Sequence, residues 1–116
     1  MSKLRFIFRV KIHAGRLDEF KAAGAALLAM VEARGPQTLE YEWFLNDDHT
    51  ECVVLETFAT SEALLVHADM VAEKARELFG LCDILDLWLC GAPTAAALQR
   101  TAAFAPRRYS FLQGRG

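Results

Sequence analysis

Two side chains able to move protons bracket one stretch of this chain: Glu56 opens and His67 closes the run Glu56-Thr57-Phe58-Ala59-Thr60-Ser61-Glu62-Ala63-Leu64-Leu65-Val66-His67. An imidazole is the side chain whose ordinary pKa lets it take or give a proton near neutrality. His67 is therefore the first candidate for acid or base work, set against a packing histidine satisfied by a single hydrogen bond. Glu56 falls among Tyr41, Val54 and Phe58 on an apolar strand face, where a carboxylate without a partner is costly. Two kinds of partner are open to it: a reacting group, or the free amides where the following helix begins. Tyr41, Trp43 and Phe58 can stack on a flat aromatic substrate or can serve as core, and Trp88 reads as packing.

Other chemistries find little purchase. His13, His49 and His67 lie on separate segments with no H-x-x-x-H or facial-triad spacing, so no metal is expected. Gly15-Arg16-Leu17 lacks the glycine spacing that cradles phosphate, and Ser61 has no G-x-S-x-G elbow around it. Three cysteines, at positions 52, 82 and 90, make an odd count without C-x-x-C spacing, which reads as free buried thiols rather than a disulfide framework or zinc knuckle. Cys82 and Cys90 on one strand stand roughly 26 Å apart, too far to share a bond or an ion.

Composition narrows the class further. The 116 residues are 53% hydrophobic and 24% charged, which suits one globular domain with a real core. Thirteen basic against fifteen acidic side chains leave a net charge of -2, no lure for nucleic acid or anionic lipid. No apolar run approaches the roughly 20 residues of a membrane helix, and the N-terminus has no signal-type segment. A cytoplasmic location is expected.

The elements that must position these side chains follow from periodicity. Leu4, Phe6, Phe8, Val10 and Ile12 alternate with Lys3, Arg5, Arg9 and Lys11, which makes a strand. After Gly15 the spacing turns helical through Leu17, Phe20, Leu27, Leu28 and Val31, with Asp18 and Glu19 in the first turn where carboxylates suit the helix dipole. Gly35-Pro36 should end this helix, glycine in a left-handed position and proline forbidding continuation. Leu39, Tyr41, Trp43 and Leu45 then Cys52, Val54, Glu56 and Phe58 make a hairpin. A loop over 46–49 would set Trp43 opposite Cys52, Tyr41 opposite Val54 and Leu39 opposite Glu56. Thr60 or Ser61 can cap a second helix whose inward stripe is Ala63, Leu64, His67, Val71, Ala75 and Leu78. Leu81 to Gly91 is a last strand, with Leu85, Leu87 and Leu89 on one face and Ile84, Trp88 and Cys90 on the other, both apolar as in a strand covered on two sides.

The order β-α-β-β-α-β predicts an α+β, ferredoxin-like sheet with both helices on one face. Its other face would carry Ile7, Phe44, Val53 and Leu55 amid a basic first strand and acidic second and third strands. A second copy laid against it would bury the apolar groups and let Arg5 or Arg9 meet Glu40, Glu42 or Glu51, so a homodimer closed into one α+β barrel is expected. Residues 1–93 form the domain. Residues 94–116 read as a short helix and an arm that packs on the partner subunit or frays.

The segment from Glu56 to His67 resembles the E-x-aromatic-x-S-x-x-A-x-x-x-H signature of the antibiotic biosynthesis monooxygenase family. The likeness extends over Phe6 to Pro93, through Gly15, Leu17, Glu19 and Phe20 at a helix start, Leu39 to Trp43 as L-x-Y-E-W, and a closing G-x-P. It implies a small dimeric α+β barrel that oxidises a quinol, phenol or related aromatic with O2, using neither metal nor flavin. On that reading His67 takes the substrate's proton, Glu56 orients the imidazole or bonds the substrate, and Tyr41, Trp43 and Phe58 hold the ring. Haem-degrading relatives place an asparagine on the first strand, and Leu4 to Ile12 has none. Isomerisation of a small sugar on the same scaffold, or non-catalytic binding of a hydrophobic metabolite, are the alternatives the scaffold allows.

Overall fold

Strand β1, Leu4–Ile12, leads into helix α1, Leu17–Arg34; the hairpin β2, Thr38–Leu45, and β3, Glu51–Phe58, follows; then come helix α2, Ser61–Phe79, and strand β4, Cys82–Cys90. A short helix α3, Ala95–Thr101, a 3-10 turn over Ala102–Phe104 and a short strand β5, Arg107–Tyr109, complete the chain. This computed structural model describes residues 3–115. The sheet runs β2-β3-β1-β4-β5, antiparallel throughout except where β5 lies parallel to β4. The expected α+β, ferredoxin-like β-α-β-β-α-β order is present, with α3 and β5 appended.

Alternation decides which face of the sheet is covered. Leu4, Phe8, Val10 and Ile12 of β1 are buried together with Cys52 and Val54 of β3, Phe20, Leu27 and Val31 of α1, and Val71 and Leu78 of α2. Helices α1 and α2 thus lie on one face and cover the core there, which falls into two buried clusters. Thr60 is the cap of α2: its hydroxyl accepts the Ala63 N–H at 3.1 Å, satisfying one of the orphan amides of the first turn. Ser61 serves elsewhere, accepting the Thr94 N–H at 3.0 Å and tying the start of α2 to the start of α3.

Four local expectations are corrected. The hairpin loop takes in Thr50 as well as 46–49, because Asp48 accepts from both the N–H and the hydroxyl of Thr50 and Asn46 closes onto Glu51. Register moves by two as a result: Tyr41 stands opposite Glu56, Trp43 opposite Val54 and Leu45 opposite Cys52. The faces survive, since a shift of two preserves the side each residue points to. In β4 a bulge falls where Arg9 pairs with Asp86 but Val10 pairs with Ile84, which leaves Leu85 unmatched. Leu85 therefore does not share the face of Leu87 and Leu89; Leu87 is buried and Leu85 is exposed.

Gly35 is not left-handed; its φ is −119°. Its lack of a side chain matters for close approach, because a Cβ there would sit 3.1 Å from the Val31 carbonyl oxygen and 3.5 Å from the Met70 Cε. On the uncovered sheet face, Arg9 meets Glu51 at 2.9 Å and Arg5 meets Glu40 at 3.7 Å within the same chain. Arg9 thus reaches the adjacent strand β3 and Arg5 reaches across β3 to β2, so part of the charge complementarity of this face is used within the chain. The apolar part of that face remains open, with Phe44 53% exposed and Ile7, Val53, Leu55 and Trp88 partly covered. In the terminal segment, Gly91 donates its N–H to the Tyr109 carbonyl at 2.9 Å, so Arg107–Tyr109 extends its own chain's sheet. No described helix is long and apolar enough to cross a membrane.

Candidate active site

His67 projects from the inward stripe of α2, two turns past the Thr60 cap, and Glu56 from the helix-facing side of β3. Their side chains meet: Nε2 of His67 lies 3.0 Å from Oε1 of Glu56. Both residues are 6% exposed. In the neutral imidazole a carboxylate at that distance favours the tautomer protonated on Nε2, with the lone pair on Nδ1. That Nδ1 is buried and has no hydrogen-bond partner among the described residues. A buried ring nitrogen without a partner is costly, so this atom is a candidate contact for a ligand.

The aromatic frame around this pair is close. The Tyr41 ring stands edge-on to the imidazole at 5.3 Å between centroids, and Phe58 lies tilted against it at 5.0 Å. Tyr41 is opposite Glu56 on the neighbouring strand. Burial first, and the Glu56 charge second, push the Tyr41 phenol well above its ordinary range. Its hydroxyl therefore stays protonated near neutral pH and is able to donate a hydrogen bond.

These groups open onto a cavity of about 360 Å³ between the sheet and α2, closed at one side by α3 and the 3-10 turn. Phe6, Phe8, Leu27, Leu64, Val71 and Phe79 furnish its apolar wall, and Tyr41, Glu56, Phe58 and His67 all line it. Trp43 does not. Its ring packs on Phe20 at 6.0 Å and behind Tyr41 at 5.4 Å, with Gly24 of α1 so close that a Cβ there would meet Trp43 at 3.3 Å. Of the five residues singled out in the sequence, four line one hollow and the fifth buttresses it from behind.

Residues that sequence reasoning left out also line the hollow. Arg76 of α2, and Arg100, Thr101 and Phe104 from the segment after β4, stand at its edge. Phe104 packs on Phe6 at 6.4 Å and on Phe79 at 5.8 Å. Helical spacing could have found Arg76, since Ala72 and Arg76 stand one turn apart and one and two turns beyond Ala68 on the His67 side of α2. Nothing local marks the other three, which reach the cavity only because α3 folds back over α2. His67 also borders a second hollow of about 330 Å³, beside Thr38, Val66 and Met70.

No family model matches the chain, and no curated protein matches it in sequence. Solved structures do resemble it. The chain superposes over its full length on 95% of MupZ from Pseudomonas fluorescens, with a TM-score of 0.83 and 21% identity. SnoaB, a cofactor-independent oxygenase from Streptomyces nogalater, matches 82% of this chain over 97% of its own, with a TM-score of 0.68 and 19% identity. A candidate antibiotic biosynthesis monooxygenase from Caulobacter crescentus CB15 matches 76% of this chain over 85% of its own, with a TM-score of 0.65 and 20% identity. The structural neighbours of this chain thus include antibiotic biosynthesis monooxygenase-like proteins, and it shares their fold.

Proposed function

We propose that this chain is a cofactor-independent monooxygenase that oxidises a quinol, phenol or related aromatic with dioxygen. The buried Glu56–His67 pair facing an otherwise apolar cavity carries the reading. Such a pair is an orienter and a base. Likeness of fold to a cofactor-independent oxygenase adds support by analogy.

In this account the substrate's acidic O–H or activated C–H faces the free Nδ1 of His67. The imidazole takes that proton, and Glu56 holds the ring and stabilises the imidazolium that forms. The resulting anion is electron-rich enough to pass one electron to dioxygen, and the radical pair recombines to form a carbon–oxygen bond. For a substrate methylene the balance closes simply: the carbon loses two hydrogens and gains one oxygen as a carbonyl, and the second oxygen leaves as water. The substrate supplies every electron. Tyr41 donates a hydrogen bond toward the developing oxyanion, Phe58 flanks the ring, and Trp43 steadies Tyr41 from behind. The apolar wall keeps bulk water from protonating the anion before it meets oxygen.

A homodimer completes the proposal. The uncovered sheet face, with Phe44, Leu55, Ile7 and Trp88 on it, is an apolar surface suited to a second copy related by a two-fold axis. The terminal residues beyond Tyr109, including exposed Phe111 and Leu112, would then have a partner surface to cover them. Isomerisation by proton transfer would use the same two residues and differs in consuming no oxygen. Oxygen-electrode assays with hydroquinones, phenols and anthrones test the proposal, and His67→Ala should lower uptake by about 10² if the imidazole is the base.

A further inference from the structure

Two guanidinium groups from separate elements stand at the mouth of a cavity whose interior holds the Glu56 carboxylate. Arg76 comes from the last turns of α2 and Arg100 from α3, and both line the hollow while remaining exposed to solvent. Arg76 makes no ion pair among the described residues, the next carboxylate on its helix, Glu77, being held by Lys74 at 2.7 Å. Arg100 meets Asp69 at 3.0 Å, and that aspartate is itself mostly exposed. Two positive groups and one negative leave the rim one net positive charge.

We infer that Arg76 and Arg100 form an anion-binding rim, and that the ligand of this cavity is an amphipathic acid with an apolar, ring-bearing body and a carboxylate at the mouth. The polarity of the site sets its direction of entry. A carboxylate driven inward would approach the Glu56 carboxylate in a poorly solvated space and be repelled, while at the mouth it meets planar guanidinium donors that match its two oxygens. The charged end therefore stays outside and the opposite end is delivered to His67. One net positive charge suits a monoanion better than a dianionic phosphate. This rests on the cavity being the substrate site, and it does not depend on the oxygen chemistry.

Binding can be read without turnover, by fluorescence titration of the full chain with 2-naphthoate, 2-naphthamide and 2-naphthyl phosphate. The carboxylate should bind about tenfold more tightly than the neutral amide at low salt, with the preference shrinking at high salt because the rim is exposed. Arg76→Gln combined with Arg100→Gln should bring the carboxylate down to the affinity of the amide and leave the amide unchanged. Equal binding of carboxylate and amide, binding of neither, tighter binding of the phosphate, or a preference that survives both substitutions would overturn the inference. A protein that prefers the carboxylate yet consumes no oxygen with any aromatic contradicts the proposed oxygenase alone.

Discussion

Nε2 of His67 and Oε1 of Glu56 lie 3.0 Å apart, while Nδ1 of the same ring is buried without a partner. The carboxylate thus faces one nitrogen of the imidazole, and the other has no partner among the described residues. Removing one member should expose how much of this arrangement is stability and how much is function. Glu56→Ala leaves a buried imidazole N–H unsatisfied and should destabilise the fold by about 1–3 kcal/mol. Replacing both, Glu56→Leu with His67→Leu, removes two polar groups together and should recover most of that loss while abolishing activity. Chemical denaturation of the single and double variants checks this; a double variant less stable than the sum of its singles would contradict it.

The cap of α2 is the second lever on the site, because it fixes the helix that carries the imidazole. Thr60→Ala loses the hydroxyl that accepts the Ala63 N–H at 3.1 Å. A loss of about 0.5–2 kcal/mol is expected, with Thr60→Ser restoring most of it. Thermal melts of the two variants measure the difference.

Gly91 should tolerate no side chain. Its φ is +119°, and a Cβ would stand 2.7 Å from the Lys3 carbonyl oxygen, which is backbone and cannot step aside cheaply. Gly91→Ala should cost about 1–3 kcal/mol. A variant as stable as the parent in urea would show that the β1–β4 edge can shift.

Burial pushes the thiols of Cys52 and Cys82 from an ordinary 9 up to about 11. A folded state that holds its thiol protons more tightly than the unfolded chain is stabilised fully below the unfolded pKa and loses that advantage as pH rises from about 9 to about 11. Melting temperature should therefore fall across that window. At pH 8 a thiol-specific disulfide reagent should modify only the partly exposed Cys90 in the native protein and all three cysteines after denaturation. Rapid native reaction of three thiols would be the contrary result.

The fold was readable because β1, both strands of the hairpin and the α2 stripe each carry one clear period, and the helix-facing residues Phe8, Val10, Val54 and Leu64 fall where alternation or helical spacing sets them. The bulge beside Leu85 was missed because β4 is largely apolar on both sides, and its one mark is that Asp83 and Asp86 fall at positions of opposite parity. The hairpin register slipped by two because Thr50 looks like the start of a strand, while its hydroxyl and amide are taken by Asp48. Glu56 and His67 were legible as types and faces. That they would touch each other required a three-dimensional fact, the crossing of α2 over β3. Arg100 and Phe104 were unreadable for the same reason, since the fold-back of α3 brings them to the cavity.

Oxygen uptake by the metal-free protein in the presence of an anthrone or hydroquinone, compared between the parent chain and His67→Ala, bears most directly on the central claim. Uptake matched one for one by substrate oxidised, and lowered by about 10² in the variant with ligand affinity little changed, is the predicted result. Undiminished uptake by the folded variant, or no uptake by the parent chain with any of these substrates, would contradict it.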